Sequence, residues 1–330
     1  MRSSMAAAPK KTISDLLPSL KRLKLAEARY ALPASTPISA AAQHLLDERL
    51  TYVLVLDDLK ASDAQKNFAT SVTTSDVVGM LTERNVLQYA IDAGMLNFLS
   101  GRESQPPISR WMTPRPKMLS VRLDQSIEDA LSTMHAGIWR HLPVLDYYNK
   151  LHSILDLRDV LLEKVGPDER EGVWKGCSAL DILGAKRKSK IAAGESHWRD
   201  ALSDYLKAHA KQHTITERAT VEKAASQMAR EQLTFLVVLD EQEKGVVGLV
   251  NERSYLSFAT SGEYPDGSQE AVSGVMTPLA EVLHVSLTDP ASHVVDVFFN
   301  HNVRHLPVID HKQRLAGIIS VRDLLRPLFS

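Results

Sequence analysis

One cysteine, Cys177, is the only thiol in 330 residues. It cannot form an internal disulfide, which fits a reducing compartment, and a plain unreactive thiol is the simplest reading. Long apolar runs are missing as well: none approaches the ~18 residues of a membrane span. Neither sign of charge dominates, with 39 Lys and Arg against 40 Asp and Glu and a net charge of −1. Bulk electrostatics therefore draws the chain neither to nucleic acid nor to an acidic membrane. The sequence holds no P-loop, no glycine-rich dinucleotide turn and no nucleophile elbow, so no catalytic residue is nominated. His209 with His213, and His301 with His305, have the i, i+4 spacing of paired helix ligands. Neither pair has the acidic or third-ligand company of a metal site, so no metal is expected.

What is present is ordinary in bulk and unusual in pattern. The apolar fraction of 44% is that of a globular protein. The stretch Met1 to Lys11 lacks acids and is rich in Arg, Ser, Ala and Lys. A frayed terminus in a cytoplasmic protein is the preferred reading, and a mitochondrial or other organellar leader is the alternative. The basic run Lys186-Arg187-Lys188-Ser189-Lys190 is read as a solvated loop.

The chain repeats itself. Arg140-His141-Leu142-Pro143-Val144 returns as Arg304-His305-Leu306-Pro307-Val308, 164 residues later. Met112-Thr113-Pro114 returns as Met276-Thr277-Pro278, and Arg158-Asp159 as Arg322-Asp323, at the same offset. Within each half a second repeat appears. Ile38, Ala41, Ala42 and Leu45 mark one helix face, and so do Ile127, Ala130, Leu131 and Met134. Val221, Ala224, Ala225 and Met228 repeat the spacing, as do Ala291, Val294, Val295 and Phe298. An apolar strand begins 13 residues after the first member of each set, at Thr51, Arg140, Thr234 and Arg304, and ends in Asp at a turn. Second strands follow at Val77–Leu81, Leu151–Leu155, Val246–Val250 and Ala316–Ile319, and feed helices beginning near Thr82, Asp156, Asn251 and Ser320. The long polar loop from Leu59 to Asp76 reads as an exposed, disordered insertion. The fold expected is α+β, with four βαββα units.

These residues resemble a known family. Arg304–Val308 followed by Gly317–Leu324 looks like the second repeat of a CBS domain pair, the Bateman module, and Thr82-Glu83-Arg84-Asn85 looks like the equivalent in a first repeat. The resemblance divides the chain into module 1 at 12–165 (repeats at about 12–98 and 108–165), a linker at 166–177, and module 2 at 178–328 (about 178–262 and 271–328). It is nearest to stand-alone CBS-pair proteins and more distant from the γ subunit of the AMP-activated kinase. It implies two clefts per module that take AMP, ADP, ATP or related adenosyl ligands.

The chemistry of the strand-to-helix junction can be argued from its residues. A hydroxyl at a helix start can donate to a phosphate that the free backbone N–H groups also favour. An Asp or Asn three residues on can accept from ribose hydroxyls, and a nearby Arg can grip phosphate. The same residue types are favoured helix caps, so each junction also has a purely structural reading. Ser320, Arg322 and Asp323 keep the full pattern, and Thr82, Arg84 and Asn85 keep it with an amide. Asp156 puts a carboxylate where phosphate would lie, costing about 4 kcal/mol for like charges ~4 Å apart at an effective dielectric near 20. Asn251 with Ser254 is degenerate, and both of these junctions are read as caps only. The pairs Arg140-His141 and Arg304-His305 occur only in the even copies, and the resemblance places them near the phosphates.

Two functions compete. The first is a non-enzymatic regulator that binds adenine nucleotide, requires no cofactor, and modulates an unidentified partner protein, with no nucleic acid or membrane involved. The second is a scaffold or assembly subunit with vestigial clefts. A homodimer is left open. The fourth repeat, around Ser320, Asp323, Arg304 and His305, is the first site to test.

Overall fold

The structure is a computed structural model and describes residues 11–16, 28–61, 72, 75–94, 105–137, 141–158, 160, 174–188, 211–261, 269–301 and 303–325. Arg140, Asp159, His209 and Ser189-Lys190 lie outside the described residues. Four helices carry the amphipathic faces: α2 (Ile38–Asp47), α4 (Ile127–Gly137), α6 (Val221–Arg230) and α8 (Ala291–Asn300). The four apolar residues of each face are at most 2% exposed. Burying a side chain the size of Ile or Leu in this way stabilises the fold by about 1.5–3 kcal/mol. The remaining helices are α1 (Ile13–Leu16), α3 (Glu83–Asp92), α5 (Ala179–Lys188), α7 (Glu252–Ser261) and α9 (Val321–Leu325). The basic run thus opens on the last residues of α5 and does not begin in a loop.

The chain divides into two compact units, neither of them continuous in sequence. The first combines Met1–Ala34, Val53–Met80 and Thr113–Lys164. One of its sheets runs in the order β1 (Ala31–Pro33), β2 (Tyr52–Leu56), β3 (Val77–Thr82), β4 (Thr113–Pro114). The last residues of β3 pass into the second unit. The other sheet is β5 (Val121–Arg122), β6 (His141–Leu145), β7 (Leu151–Asp156). In both sheets the entering strand pairs parallel with the next, Ala31 opposite Leu54 and Val121 opposite Val144. α1 packs on α4, and Ile13 N–H donates to the Gln125 carbonyl at 2.9 Å.

The second unit combines Ser35–Tyr52, Leu81–Met112 and Val165–Ser330. Its four-stranded sheet runs β11 (Thr277–Pro278), β10 (Val246–Asn251), β9 (Phe235–Leu239), β8 (Thr214–Thr216). β12 (His305–Ile309) and β13 (Leu315–Ser320) form a two-stranded sheet. Phe235, Val237, Val246, Ile309 and Ile318 make one buried cluster across the two sheets, and Val246 N–H donates to the Gln313 carbonyl at 2.8 Å. Helices α2 and α3 of the first repeat pack on α6 and α7 of the third, while α5 packs on α8, α9 and β13.

The hairpin turns explain the Asp that ends the first strands. Oδ1 of Asp146, Asp240 and Asp310 accepts from the backbone N–H groups two and four residues ahead, at 2.8–3.0 Å. The residue between takes a left-handed conformation: Asn149, Glu243 and Gln313 at φ 59°, 56° and 59°. An acceptor at the turn entrance thus closes the hairpin without glycine. Glycine is needed at Gly248, where a Cβ would lie 2.6 Å from the Thr277 carbonyl oxygen of the paired strand. Of the loop read from Leu59 to Asp76, residues 62–71 and 73–74 lie outside the described residues; residues 58–61 form a helical turn, Leu59 is 85% exposed, and Ala61 and Val72 are each only 5% exposed. Apolar groups in a polar stretch anchor at least those parts to the core.

Candidate functional site

All four junctions are strand ends turned into helix starts, and each uses its polar residue differently. At the first, Thr82 N–H and Oγ donate to Asn85 Oδ1 at 2.9 and 2.8 Å, while Asn85 N–H bonds back to the Thr82 hydroxyl at 3.4 Å. This is a complete capping box. At the third, Asn251 Oδ1 accepts from Ser254 N–H at 2.8 Å and Oγ at 3.1 Å. At the fourth, Asp323 Oδ2 accepts from Ser320 N–H at 2.7 Å and Oγ at 2.8 Å, and Asp323 is 1% exposed. The groups that the resemblance assigns to ribose and phosphate are here bonded to each other.

The second junction is built around an acid. Asp156 Oδ2 lies 3.2 Å from His141 Nε2, and its Oδ1 accepts from Arg158 N–H at 2.8 Å and approaches Arg158 Nε at 3.4 Å. β6 and β7 pair His141 directly with Asp156, so the sheet register itself brings the two together. His141 is 8% exposed and Arg158 is largely buried.

The second compact unit brings the first and fourth junctions together. Arg304 Nη2 donates to Thr51 Oγ1 at 3.0 Å, on the strand entrance that leads to the first junction. Arg322 feels the like charge of Arg84. Burial holds the Arg322 guanidinium below its usual range, Asp323 opposes this, and Arg84 adds to it. Arg322 Nη2 is buried and has no hydrogen-bond partner among the described residues. His305 lies against Phe235, ring centroids 4.7 Å apart, and His213 lies 5.8 Å from Phe235 on its own account. His301 is the C-cap of α8 and His305 begins β12, so these two do not share a helix and their spacing says nothing about metal.

One feature was invisible to motif reading. Arg84 Nε bonds to Glu252 Oε1 at 3.0 Å, and Arg253 Nε bonds to Glu83 Oε1 at 2.8 Å, a reciprocal exchange between α3 and α7. Arg84 Nη2 also donates to the Gln232 carbonyl at 3.0 Å, and Arg253 Nη2 to the Leu50 carbonyl. Each carbonyl belongs to the turn that closes the first helix of its repeat, where Arg49 and Gln232 are left-handed at φ 54° and 55°. Burial pushes the Glu83 carboxyl up, and the Arg253 guanidinium opposes it. The resemblance puts Arg84 beside a phosphate, whereas the packing of α3 on α7 gives it Glu252 instead. The signal available in sequence was the Glu-Arg pair after the cap in both odd copies, absent from Leu157-Arg158 and Val321-Arg322.

Among the described residues no helix is long and apolar enough to cross a membrane, and no group of three or more His, Cys, Asp or Glu could hold a metal ion. Comparison with known proteins agrees with the repeat. The CBS domain family matches residues 108–166, 204–260 and 272–330. An uncharacterised 17.7 kDa protein of Acidianus ambivalens is 32% identical over 118 residues, 36% of this chain and 68% of that protein. The plant protein CBSCBSPB1 of Arabidopsis thaliana is 22% identical over 313 residues, and the match covers 92% of this chain but only 52% of the relative. Among solved structures, MJ1225 of Methanocaldococcus jannaschii, described as a candidate archaeal homologue of γ-AMPK, superposes with a TM-score of 0.65 at 16% identity, covering 95% of this chain and 99% of that one. Its likeness shows the fold: four βαββα repeats arranged as two tandem pairs. With the repeat, the sheet order and three family matches in agreement, the chain belongs to the CBS domain family.

Proposed function

We propose that this chain is a non-enzymatic regulatory protein whose inter-repeat clefts take adenine nucleotides of the AMP, ADP and ATP class, and whose occupancy modulates a partner protein. The module bounds read from sequence, 12–165 and 178–328, are part of this proposal. The observation that carries it is Arg322, whose buried Nη2 has no partner among the described residues. A buried guanidinium nitrogen left without an acceptor costs free energy, and a phosphate oxygen would remove that cost. Ser320 lies two residues before it, and Arg84 adds positive potential. In the same reading Arg304 supplies a further cation and His305 a ring nitrogen, and Thr82 with Asn85 offers the matching junction of the first repeat.

The test is calorimetry with AMP, ADP and ATP on the full chain. Arg322→Ala and Asp323→Ala should weaken binding at least tenfold while the chain stays folded. Equal affinities for wild type and both variants would sink the assignment. A second reading, a scaffold with vestigial clefts, is favoured by the Ser320–Asp323 and Thr82–Asn85 bonds, which satisfy the ligand groups internally. Failure of any adenosyl ligand to bind would select it.

A further inference from the structure

We infer that Asp156 determines ligand choice in the first compact unit: it bars phosphate from that unit's cleft, which therefore takes a phosphate-free nucleoside. This rests on the reading above that the clefts accept adenosyl ligands.

The first unit contains a cavity of about 310 Å³. Leu54, Met118, Pro143 and Leu145 supply apolar walls, and Arg115, Ser120 and Asn149 supply polar groups. The size is at the small end for small-molecule sites, and apolar walls with a few polar groups suit a flat heterocycle. Arg115 is solvent-exposed, where an ion pair with a ligand is worth little. On β6, His141, Pro143 and Leu145 fall on one face, because side chains alternate along a strand. The His141–Asp156 pair therefore continues the cavity's own strand face, two residues or ~7 Å beyond Pro143.

At that position the chain carries the groups a phosphate would want, and an anion already on them. The Asp156 carboxylate takes His141 Nε2 at 3.2 Å, Arg158 N–H at 2.8 Å and Arg158 Nε at 3.4 Å. A phosphate entering here would meet a carboxylate within a few ångströms and donors already engaged. The fourth repeat is the internal control. There the equivalent residue is Ser320, which brings no charge of its own and bonds to the Asp323 carboxylate three residues on, while Arg322 between them keeps a nitrogen without a partner among the described residues. The same backbone position is thus anionic in one cleft and neutral in the other.

Calorimetry of the full chain with adenosine and AMP tests this, using wild type, Asp156→Ser, Asp156→Asn and Leu145→Trp. Leu145→Trp fills the cavity and assigns heat to it. The expected result is adenosine binding that Leu145→Trp abolishes, with AMP at least tenfold weaker in the same cleft. Asp156→Ser should strengthen AMP there by tenfold or more and leave adenosine within threefold. Asp156→Asn keeps the shape and the acceptor for Arg158 N–H, so it serves if the Ser variant does not fold. An unchanged ratio of AMP to adenosine in both variants overturns the inference, as does adenosine binding that ignores Leu145→Trp. If AMP binding sensitive to Arg322→Ala persists in either case, only this inference fails. If no adenosyl ligand binds at all, both readings fall.

Discussion

The second and fourth junctions occupy equivalent places, a strand end turned into a helix start, and differ in the residue at the turn, Asp156 against Ser320. In the second, Asp156 pairs with His141 and Arg158, so their donor groups are engaged from within. In the fourth, Ser320 bonds to Asp323, and the neighbouring Arg322 is left with an unmet nitrogen among the described residues. A carboxylate at the turn position, in place of the Ser320 hydroxyl, decides whether a cation is satisfied by the protein or is available to a ligand. The odd junctions show a third outcome. Their arginines, Arg84 and Arg253, are spent on the glutamates of each other's repeat.

The strongest way to break this comparison is to make the fourth junction like the second. Ser320→Asp should reduce AMP affinity about a hundredfold or more, given the like-charge cost at close range. A loss below threefold in calorimetry would show that no phosphate comes near Ser320. Next in size, Arg322→Ala should cost about 1.5–3 kcal/mol of AMP binding, the worth of a hydrogen bond to a charged group. Its thermal midpoint without ligand should hardly move, which separates a ligand contact from a structural one.

The odd repeats sharpen the contrast through stability. Arg253→Ala strands Glu83, whose side chain is only 10% exposed, while Arg253 itself is 33% exposed. Breaking a fully buried pair costs about 3–5 kcal/mol, so about 2 kcal/mol is expected here after discounting for solvent. Arg84 is 41% exposed, and Arg84→Ala should cost less than about 1 kcal/mol. Urea titration of both variants checks the order, and equal losses would contradict it. A smaller effect is expected at Tyr255, 1% exposed, whose hydroxyl has no partner among the described residues and whose pKa burial pushes up. Tyr255→Phe removes an unmet polar group and should stabilise the fold by about 1 kcal/mol.

The smallest effect concerns pH. Burial raises the pKa of the Glu83 carboxyl above its ordinary value of 4.5. The folded chain then holds that proton at higher pH than the unfolded chain does. Stability from the protonated form is present below 4.5 and is lost as pH rises through the raised value. Glu83→Gln does not titrate, so its stability relative to wild type should improve as pH rises through that window. A constant difference between the two would show that burial and Arg253 cancel.

Much of the fold was legible because its signals are local. The four amphipathic faces, the strands 13 residues downstream and the Asp at three described hairpin turns each depend on residues within one element or one turn. The capping residues Thr82, Asn251 and Ser320 were legible for the same reason, since a cap bonds to a residue three positions away. The site was only half legible. Sequence marked Ser320, Asp323, Arg304 and His305 as one group, and could not show that Ser320 and Asp323 bond to each other or that His305 faces Phe235. A short polar motif reads equally as a cap and as a ligand contact, because both uses need the same acceptor at the same spacing.

By itself, then, the sequence determined the repeat, its element order, and which junctions carry charge. Tertiary structure alone decided the partners of those charges. Arg84 and Glu252 stand 168 positions apart and meet only because α3 packs on α7. His141 meets Asp156 through the register of two strands. Local bonding follows from spacing along the chain, whereas an ion pair follows from which surfaces the hydrophobic faces bring together, and four nearly equivalent helices leave that choice open until they pack.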